Sequence, residues 1–123
     1  MQGGDRMISI VDDDIAVREM LVSLTRSLGY DAFGFASAED FLASDEFERF
    51  TCAITDIHMP GMNGFELQER LQKRKCSLPV IMITARTEPD LEKKALSGGA
   101  IGFLRKPLDV EILVGFIEKA LRG

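Results

Sequence analysis

Nearly continuous apolar runs divide the chain and predict five buried strands. Four runs are strong, at residues 7–11, 52–55, 80–84 and 101–104, and a weaker one lies near residues 31–35. A strand that faces solvent on one side alternates apolar and polar residues, whereas the strong runs are apolar at almost every position. Unbroken apolar strands are typical of a parallel sheet that helices cover on both faces.

Helical patterns fill the intervals between these runs. Apolar residues recur every three or four positions over residues 17–28, until Gly29 ends the repeat. A second clear apolar stripe covers residues 113–121. Capping signals predict three further helix starts, at Ser37 with Asp40, at Asn63 with Glu66, and at Thr87 with Pro89 behind it. A helix is therefore predicted after each strand.

This alternation of strands and helices predicts the topology. It implies right-handed crossovers onto a parallel sheet, and hence a doubly wound, three-layer α/β domain. For five strands we predict the flavodoxin-like (βα)5 fold with strand order 2-1-3-4-5, in which ligands bind beyond the carboxyl ends of the strands. The length of 123 residues suits one domain, placed at residues 7–123 after a flexible leader or cloning remnant at residues 1–6.

Composition and charge reduce the number of possible classes of function. The chain is 46% hydrophobic and 28% charged, which is typical of an ordinary soluble globular protein. Its net charge of −5 and scattered basic residues argue against direct binding of nucleic acid or anionic lipid by this domain. No apolar run approaches the roughly 20 residues of a membrane span, and no signal peptide is visible, so we predict a cytoplasmic protein. Cys52 and Cys76 lack metal-ligand spacing and are expected to be reduced thiols.

Polar residues gather where the predicted strands end. Asp12 and Asp13 follow the first strand, Asp56 follows the third, Thr84 ends the fourth and Lys106 comes just past the fifth. In the predicted order the first strand lies beside the third, so the three carboxylates converge at one edge of the sheet. Like charges this close repel unless a cation relieves them. Oxygen ligands alone favour a hard ion such as Mg²⁺, which also accepts phosphate oxygens.

The other residues at this edge suit phosphoryl transfer. Lys106 offers a compact positive charge and Thr84 a hydroxyl donor, and both match the oxygens of a transferring phosphoryl group. Asp56 can serve as the nucleophile, because carboxylates form acyl phosphates and catalysis of phosphoryl transfer is mostly positioning and charge neutralisation. The sequence therefore predicts a magnesium-dependent phosphoryl site.

Four segments of the chain resemble the signature segments of receiver domains of bacterial two-component response regulators. They are IVDDD, TDIHMPGMNGFEL, VIMITAR and FLRKPLD. Their order and spacing are those of the family, and together they extend the resemblance over residues 7–121. The stretch YDAFGFASAEDFL is similar to the nitrogen-fixation type of regulator, whose receiver usually precedes a helix-turn-helix, DNA-binding output domain.

The resemblance implies a role for each residue of the predicted site. Asp56 would be the phosphoacceptor, and Lys106 would pair with an oxygen of the phosphoryl group. Asp12 and Asp13 would hold Mg²⁺ directly or through water. Asp56 and the backbone carbonyl of His58 would complete the protein ligands of the ion.

The resemblance also implies a switch. Thr84 would turn its hydroxyl toward the phosphoryl group, and Phe103 would be the aromatic residue that follows it inward. The chain has Phe at this position where many relatives have Tyr, so a signal that needs a hydroxyl there is absent. His58 and Arg86 would tune the rates of phosphorylation and hydrolysis, and Lys106-Pro107 would be a cis peptide bond, which is inexpensive only before proline.

The function implied is that of a phosphorylation-activated receiver rather than an enzyme acting on a separate substrate. A sensor histidine kinase or a phosphorelay protein would phosphorylate it, and hydrolysis would later remove the group. The face formed by the fourth helix, the fifth strand and the fifth helix would then change its affinity for a partner, a second copy of the chain or a C-terminal output domain.

Two other classes share part of this pattern. A Mg²⁺-dependent phosphate-ester hydrolase also starts from an aspartyl nucleophile, but it usually needs a second acid where this chain has His58, and a cap for its substrate. A flavin-binding module would need a phosphate loop of Ser, Thr or Gly where the three aspartates stand. A receiver used only for binding is disfavoured because each signature residue is present. Asp14 is interpreted as a helix cap or a solvated residue.

Overall fold

A parallel five-stranded sheet forms the centre of the protein. The computed structural model describes residues 6–74 and 76–122, so the predicted leader lies outside the described residues apart from Arg6. The sheet order is β2-β1-β3-β4-β5, which confirms the predicted topology. The strands are β1 Met7–Val11, β2 Asp31–Phe35, β3 Phe50–Asp56, β4 Val80–Thr84 and β5 Gly102–Arg105.

A helix follows each strand, as the apolar periodicity and the capping signals predict. The helices are α1 Ile15–Ser27, α2 Ala38–Leu42, α3 Gly64–Lys73, α4 Asp90–Ser97 and α5 Val110–Arg122. A short 3₁₀ turn at Phe47–Arg49 precedes β3. Each strand is therefore joined to the next by a helical crossover, as in other doubly wound domains.

Two apolar cores lie on opposite faces of the sheet. Ile8 and Ile10 of β1 pack on one face, against Leu21 of α1 and Ile117 of α5. The other face of the sheet is covered by α2, α3 and α4, through side chains that include Phe41, Leu67 and Ala95. Because both faces are buried, successive residues of β1 are all apolar or buried, which explains the unbroken runs in the sequence.

The start of α4 corrects one of the predicted caps. Thr87 was expected to cap this helix, but the helix begins at Asp90, with Pro89 at the N-cap position. The residue before a proline is disfavoured in the α region, so Glu88 does not enter the helix and Thr87 is too early to cap it. The other two caps form as predicted: Ser37 accepts from the Asp40 amide, and the α3 cap is reciprocal.

Both cysteines are free thiols, as predicted. Cys52 is buried in β3, and burial raises the pKa of its thiol to about 12. The thiol therefore stays protonated at neutral pH and packs as a small apolar side chain. Among the described residues, no helix has the length and apolar character needed to cross a bilayer.

Candidate functional site

Three carboxylates meet at the carboxyl edge of the sheet. Asp12 directly follows β1, and Asp56 is the last residue of β3. These strands are neighbours, with Val11 paired to Thr55, so the two side chains leave the sheet at the same level. Asp12, Asp13 and Asp56 each offer an oxygen, and these oxygens all lie within 4.8 Å of one another. The structure thus brings together three acids from distant parts of the sequence.

The side chain of Asp12 is fully buried and is held on several sides. One of its oxygens accepts a hydrogen bond from the Asp14 amide at 2.9 Å, and the other receives Lys106 Nζ at 3.1 Å. The guanidinium of Arg18 donates to the main-chain oxygen of Asp12 at 2.7 Å. Asp14 caps α1 by accepting from the amides of Ala16 and Val17, which leaves Asp12 and Asp13 as the first-strand acids of the cluster.

Lys106 joins two of the acids. Its Nζ lies 3.1 Å from Asp12 Oδ2 and 3.5 Å from Asp56 Oδ2, and most of its side chain is covered. Its amide donates to the main-chain oxygen of Thr84 at 2.8 Å, which fixes the start of the loop after β5. The Lys106-Pro107 bond is cis, as the resemblance implied.

The acids and the lysine change one another's ionisation. Burial and the neighbouring charge of Asp12 raise the pKa of Asp56, although Lys106 and the His58 amide act in the opposite direction. Burial lowers the pKa of Lys106, but its hydrogen bond to Asp12 and the nearby charge of Asp56 outweigh burial, so the net shift is upward. Lys106 therefore stays charged, yet it does not fully neutralise the acids. A further cation would favour the ionised form of Asp56.

Thr84 lies beside this cluster at the end of β4. Its side chain is fully buried, and its hydroxyl accepts a hydrogen bond from the Arg86 amide at 3.0 Å. The same hydroxyl lies 3.2 Å from Nδ1 of His58. The His58 amide also points to Asp56 Oδ1, at 3.4 Å. His58 is thus in contact with both the predicted phosphoacceptor and the predicted switch hydroxyl.

The predicted switch aromatic lies on the neighbouring strand. Phe103 is in β5, where it pairs with Met82 of β4, and it is almost fully buried. The guanidinium carbon of Arg105 lies 5.0 Å from the centre of its ring. Arg105 also donates hydrogen bonds to the loop that follows β4. Arg105 and Arg18 are functional-site residues that the sequence pattern does not predict, because each acts through a long side chain that reaches the backbone of another segment.

A glycine allows α3 to begin against the end of β3. A Cβ atom at Gly64 would lie 2.9 Å from the main-chain oxygen of Asp56 and 3.0 Å from the Cα of Ile57. Both atoms belong to the backbone, so a side chain at this position would push the helix away from the strand. The Gly64 amide donates to Ile57 at 2.8 Å, and this short loop fixes the direction in which the carboxylate of Asp56 leaves the strand.

The donor set of the acidic cluster fits a hard divalent cation. Its ligands are carboxylate oxygens, and Asp13 is exposed, so an ion there would keep water molecules and have room for a phosphate oxygen. Mg²⁺ prefers this combination of a few carboxylates, water and phosphate. An edge of this kind on a doubly wound sheet is suited to chemistry on a phosphoryl group, which the cation and Lys106 could both contact.

The chain belongs to the response regulator receiver domain family, whose model matches residues 8–118. The predicted family and its general function are thereby confirmed: this is a receiver domain of the two-component type, which acts in phosphorylation-activated signalling. Apart from Met7 at the start of β1, the match extends over all five strands and over the acids, threonine and lysine at their ends.

Individual relatives agree with this assignment. The response regulator protein TodT of Pseudomonas putida is 38% identical over 116 residues, which are 94% of this chain and 51% of TodT. The transcriptional regulatory protein FixJ of Bradyrhizobium diazoefficiens is 34% identical over 94% of this chain and 56% of FixJ. The crystal structure of FixJ-N superposes with a TM-score of 0.87 at 32% identity, covering 99% of this chain and 96% of that one. The chain spans about half the length of the curated relatives it matches.

Proposed function

We propose that Asp56 of this receiver accepts a phosphoryl group from a sensor histidine kinase or a phosphorelay protein. The transfer would require a bound Mg²⁺ ion, held by Asp12, Asp13, Asp56 and the backbone carbonyl of His58. When bound, it neutralises charge on the acids and on the phosphoryl oxygens. The observation that carries the proposal is the cluster of three carboxylate oxygens within 4.8 Å of one another, with Lys106 bridging two of the acids.

The transfer is a displacement at phosphorus. A carboxylate oxygen of Asp56 forms the new bond to phosphorus, while the bond from phosphorus to the donor's imidazole nitrogen breaks and the nitrogen keeps the electron pair. Asp56 must be ionised for this step, and a cation favours that form against the effect of burial. Lys106, already 3.5 Å from Asp56, then meets an oxygen of the phosphoryl group.

The switch would start at the hydroxyl of Thr84. In the resting form this hydroxyl contacts the Arg86 amide and the His58 ring. New phosphoryl oxygens on Asp56 offer it a charged acceptor, which forms a stronger hydrogen bond than the neutral ones. Thr84 would move toward them, Phe103 would repack behind it, and the face formed by α4, β5 and α5 would change shape.

His58 and Arg86 would set the rates of this cycle. The Thr84 hydroxyl accepts from the Arg86 amide and lies within hydrogen-bond distance, 3.2 Å, of Nδ1 of His58. The His58 ring and the Arg86 backbone thus restrain the hydroxyl, while the exposed Arg86 side chain would control how water or a phosphodonor approaches the acyl phosphate. Replacing both with Ala should change the rates of phosphorylation by acetyl phosphate and of hydrolysis. Unchanged rates would reject this role.

The wider role rests on the relatives. We infer a receiver within a cytoplasmic response regulator, with a DNA-binding output domain beyond it and with dimerisation on phosphorylation. The matched relatives are about twice as long, and FixJ is named a transcriptional regulatory protein. The net charge of −5 supports an indirect effect on DNA rather than binding by this domain. The domain would assist its own phosphorylation and dephosphorylation without acting as an enzyme on other molecules.

Intact mass after incubation with acetyl phosphate tests the phosphoacceptor. The wild type should gain one phosphoryl group in the presence of Mg²⁺ and none after chelation, and Asp56→Asn should gain none. Asp40→Asn, which changes an exposed acid in α2, is the matched control and should behave as the wild type. An adduct on Asp56→Asn, or none on the wild type in acetyl phosphate or beryllofluoride, would contradict the proposal. Steady turnover of a phosphate ester would favour the hydrolase alternative.

A further inference from the structure

Arg105 connects two parts of the predicted switch that are separate in sequence. It is the last residue of β5, and its side chain reaches the loop between β4 and α4. Its Nε donates to the main-chain oxygen of Arg86 at 3.2 Å, and its Nη2 donates to that of Glu88 at 3.0 Å. The same guanidinium lies over the ring of Phe103, 5.0 Å from the ring centre. One side chain thus contacts the loop and the switch aromatic.

The loop residue Arg86 completes the connection to Thr84. Its amide donates to the Thr84 hydroxyl at 3.0 Å, and its carbonyl accepts from Arg105. A continuous path of contacts therefore joins Thr84, the backbone of Arg86, the guanidinium of Arg105 and the ring of Phe103. Movement of the Thr84 hydroxyl toward a phosphoryl group would break its bond to the Arg86 amide and so free the carbonyl of Arg86, which Arg105 holds, to change position.

The two ends of α4 are held differently. At the carboxyl end, Gln68 and Gln72 of α3 donate to the main-chain oxygens of Ala95 and Gly98. In the part of the chain that the structure describes, the side chains that hydrogen-bond to residues 85–89 of the preceding loop are those of Thr84 and Arg105.

Within the described residues, the loop also contains one ion pair, and it is weak. The ion pair of Arg86 with Glu88 spans 3.8 Å between two exposed side chains, so it adds little. Arg105 is therefore the main side-chain hydrogen-bond donor to the loop that leads into α4, while Leu91 anchors the first turn of the helix in the apolar core.

We propose that Arg105 is a positioning residue of the phosphorylation switch. It holds the loop after β4 in the resting position and makes the movement of Thr84 and the repacking of Phe103 occur together. The proposal rests on the proposed function, because it concerns the response to a phosphoryl group on Asp56. An arginine suits this role, since its planar group donates in two directions and stacks on a ring at once, whereas a lysine offers a single point charge.

Arg105→Lys tests the proposal because it keeps the charge and removes the planar fork. The probe is beryllofluoride with Mg²⁺, which mimics the phosphoryl group, and calorimetry gives its affinity. Contacts that exist in the resting form oppose activation, so their loss should tighten the binding of beryllofluoride. We expect its dissociation constant to fall by about tenfold, which corresponds to the loss of one typical hydrogen bond. Arg70→Lys on the exposed face of α3 is the matched control and should bind as the wild type.

A second readout separates coupling from stability. In the wild type, the NMR signals of the Thr84 methyl group and the Phe103 ring should shift together as beryllofluoride is added. In Arg105→Lys, the two signals should shift by different fractions of their wild-type changes. A lower melting temperature with unchanged affinity and joint shifts would show a merely structural role and overturn the proposal. If the wild type does not bind beryllofluoride, the proposed function itself fails. Arg105→Gln, a second variant that also loses the fork, should repeat the result.

Discussion

The carboxylate of Asp56 is stabilised less well in the folded protein than in water. Burial and the charge of Asp12 raise its pKa, so the folded protein holds this proton to a higher pH than the unfolded chain does. Between the two pKa values the folded state binds more protons, and the free energy of unfolding falls as the pH rises. Above that window Asp56 is ionised in both the folded and the unfolded state. The free energy of unfolding is then lower by the full cost of holding the ionised carboxylate in the folded protein.

Asp56→Asn should therefore stabilise the protein at neutral pH without divalent cations. We expect an increase in the free energy of unfolding on the order of 1 kcal/mol, measured by urea denaturation. The gap between variant and wild type should shrink as the pH falls through the acid range, because protonated Asp56 and Asn are both neutral. Asp40→Asn should leave stability nearly unchanged. A destabilised Asp56→Asn protein would mean that Lys106 outweighs burial at this site.

The cap of α3 determines how the helix begins beside Asp56. Asn63 accepts from the Glu66 amide at 2.8 Å, and the Glu66 side chain accepts from the Asn63 amide at 2.8 Å. Asn63→Ala removes one of these bonds and should lower the free energy of unfolding by about 1 kcal/mol. Ser23→Ala, at an exposed position inside α1, should not lower the free energy of unfolding, because Ala is the better helix former, and it serves as the control. Equal effects of the two changes would mean that the cap contributes nothing specific.

Elements were predictable wherever one local signal defined them. The bounds of β1 and β4 agree with the apolar runs, because both strands are buried along their whole length. β3 begins at Phe50, two residues before the predicted run, and Phe50 packs in an aromatic cluster with Phe35 and Phe41. This packing joins distant parts of the chain, so a local pattern does not reveal it. The start of α4 was wrong because the effect of Pro89 on the preceding residue outweighed the capping signal of Thr87.

The site also contains residues that a local sequence signal defines and residues that depend on contacts with distant parts of the chain. The acids, Thr84 and Lys106 could be predicted because each stands at the end of a strand, and topology alone brings strand ends together. Arg18 and Arg105 could not, since each acts through a long side chain that reaches the backbone of another element. Such contacts depend on the rotamer and on the packing around it, which sequence periodicity does not report.

Metal binding should affect the stability of the whole domain. A cation that binds the folded state alone, at ten times its dissociation constant, stabilises it by roughly 1.4 kcal/mol. We expect Mg²⁺ to raise the melting temperature of the wild type, and the effect to be largely lost in Asp13→Asn. Asp13 is exposed, so this change removes a ligand without disturbing the core. An equal response of the variant and the wild type would exclude Asp13 as a ligand.

Dimerisation on activation is the prediction that concerns the assembled molecule. If phosphorylation changes the face of α4, β5 and α5, apolar side chains on that face become candidates for contact with a second copy. Leu96 of α4 is 45% exposed in the resting form, and Met20 of α1, on the other side of the sheet, is 46% exposed. Exposed apolar groups on a face that joins two copies contribute to association because their burial removes apolar surface from water.

Sedimentation velocity with beryllofluoride and Mg²⁺ distinguishes the two faces. The wild type should shift from monomer toward dimer as its concentration rises, and Leu96→Glu should stay monomeric because a charge would be buried at the contact. Met20→Glu makes the same chemical change at equal exposure on α1, and it should dimerise as the wild type does. A wild type that sediments identically with and without beryllofluoride would contradict activation by dimerisation. Loss of the dimer in Met20→Glu alone would move the contact to α1.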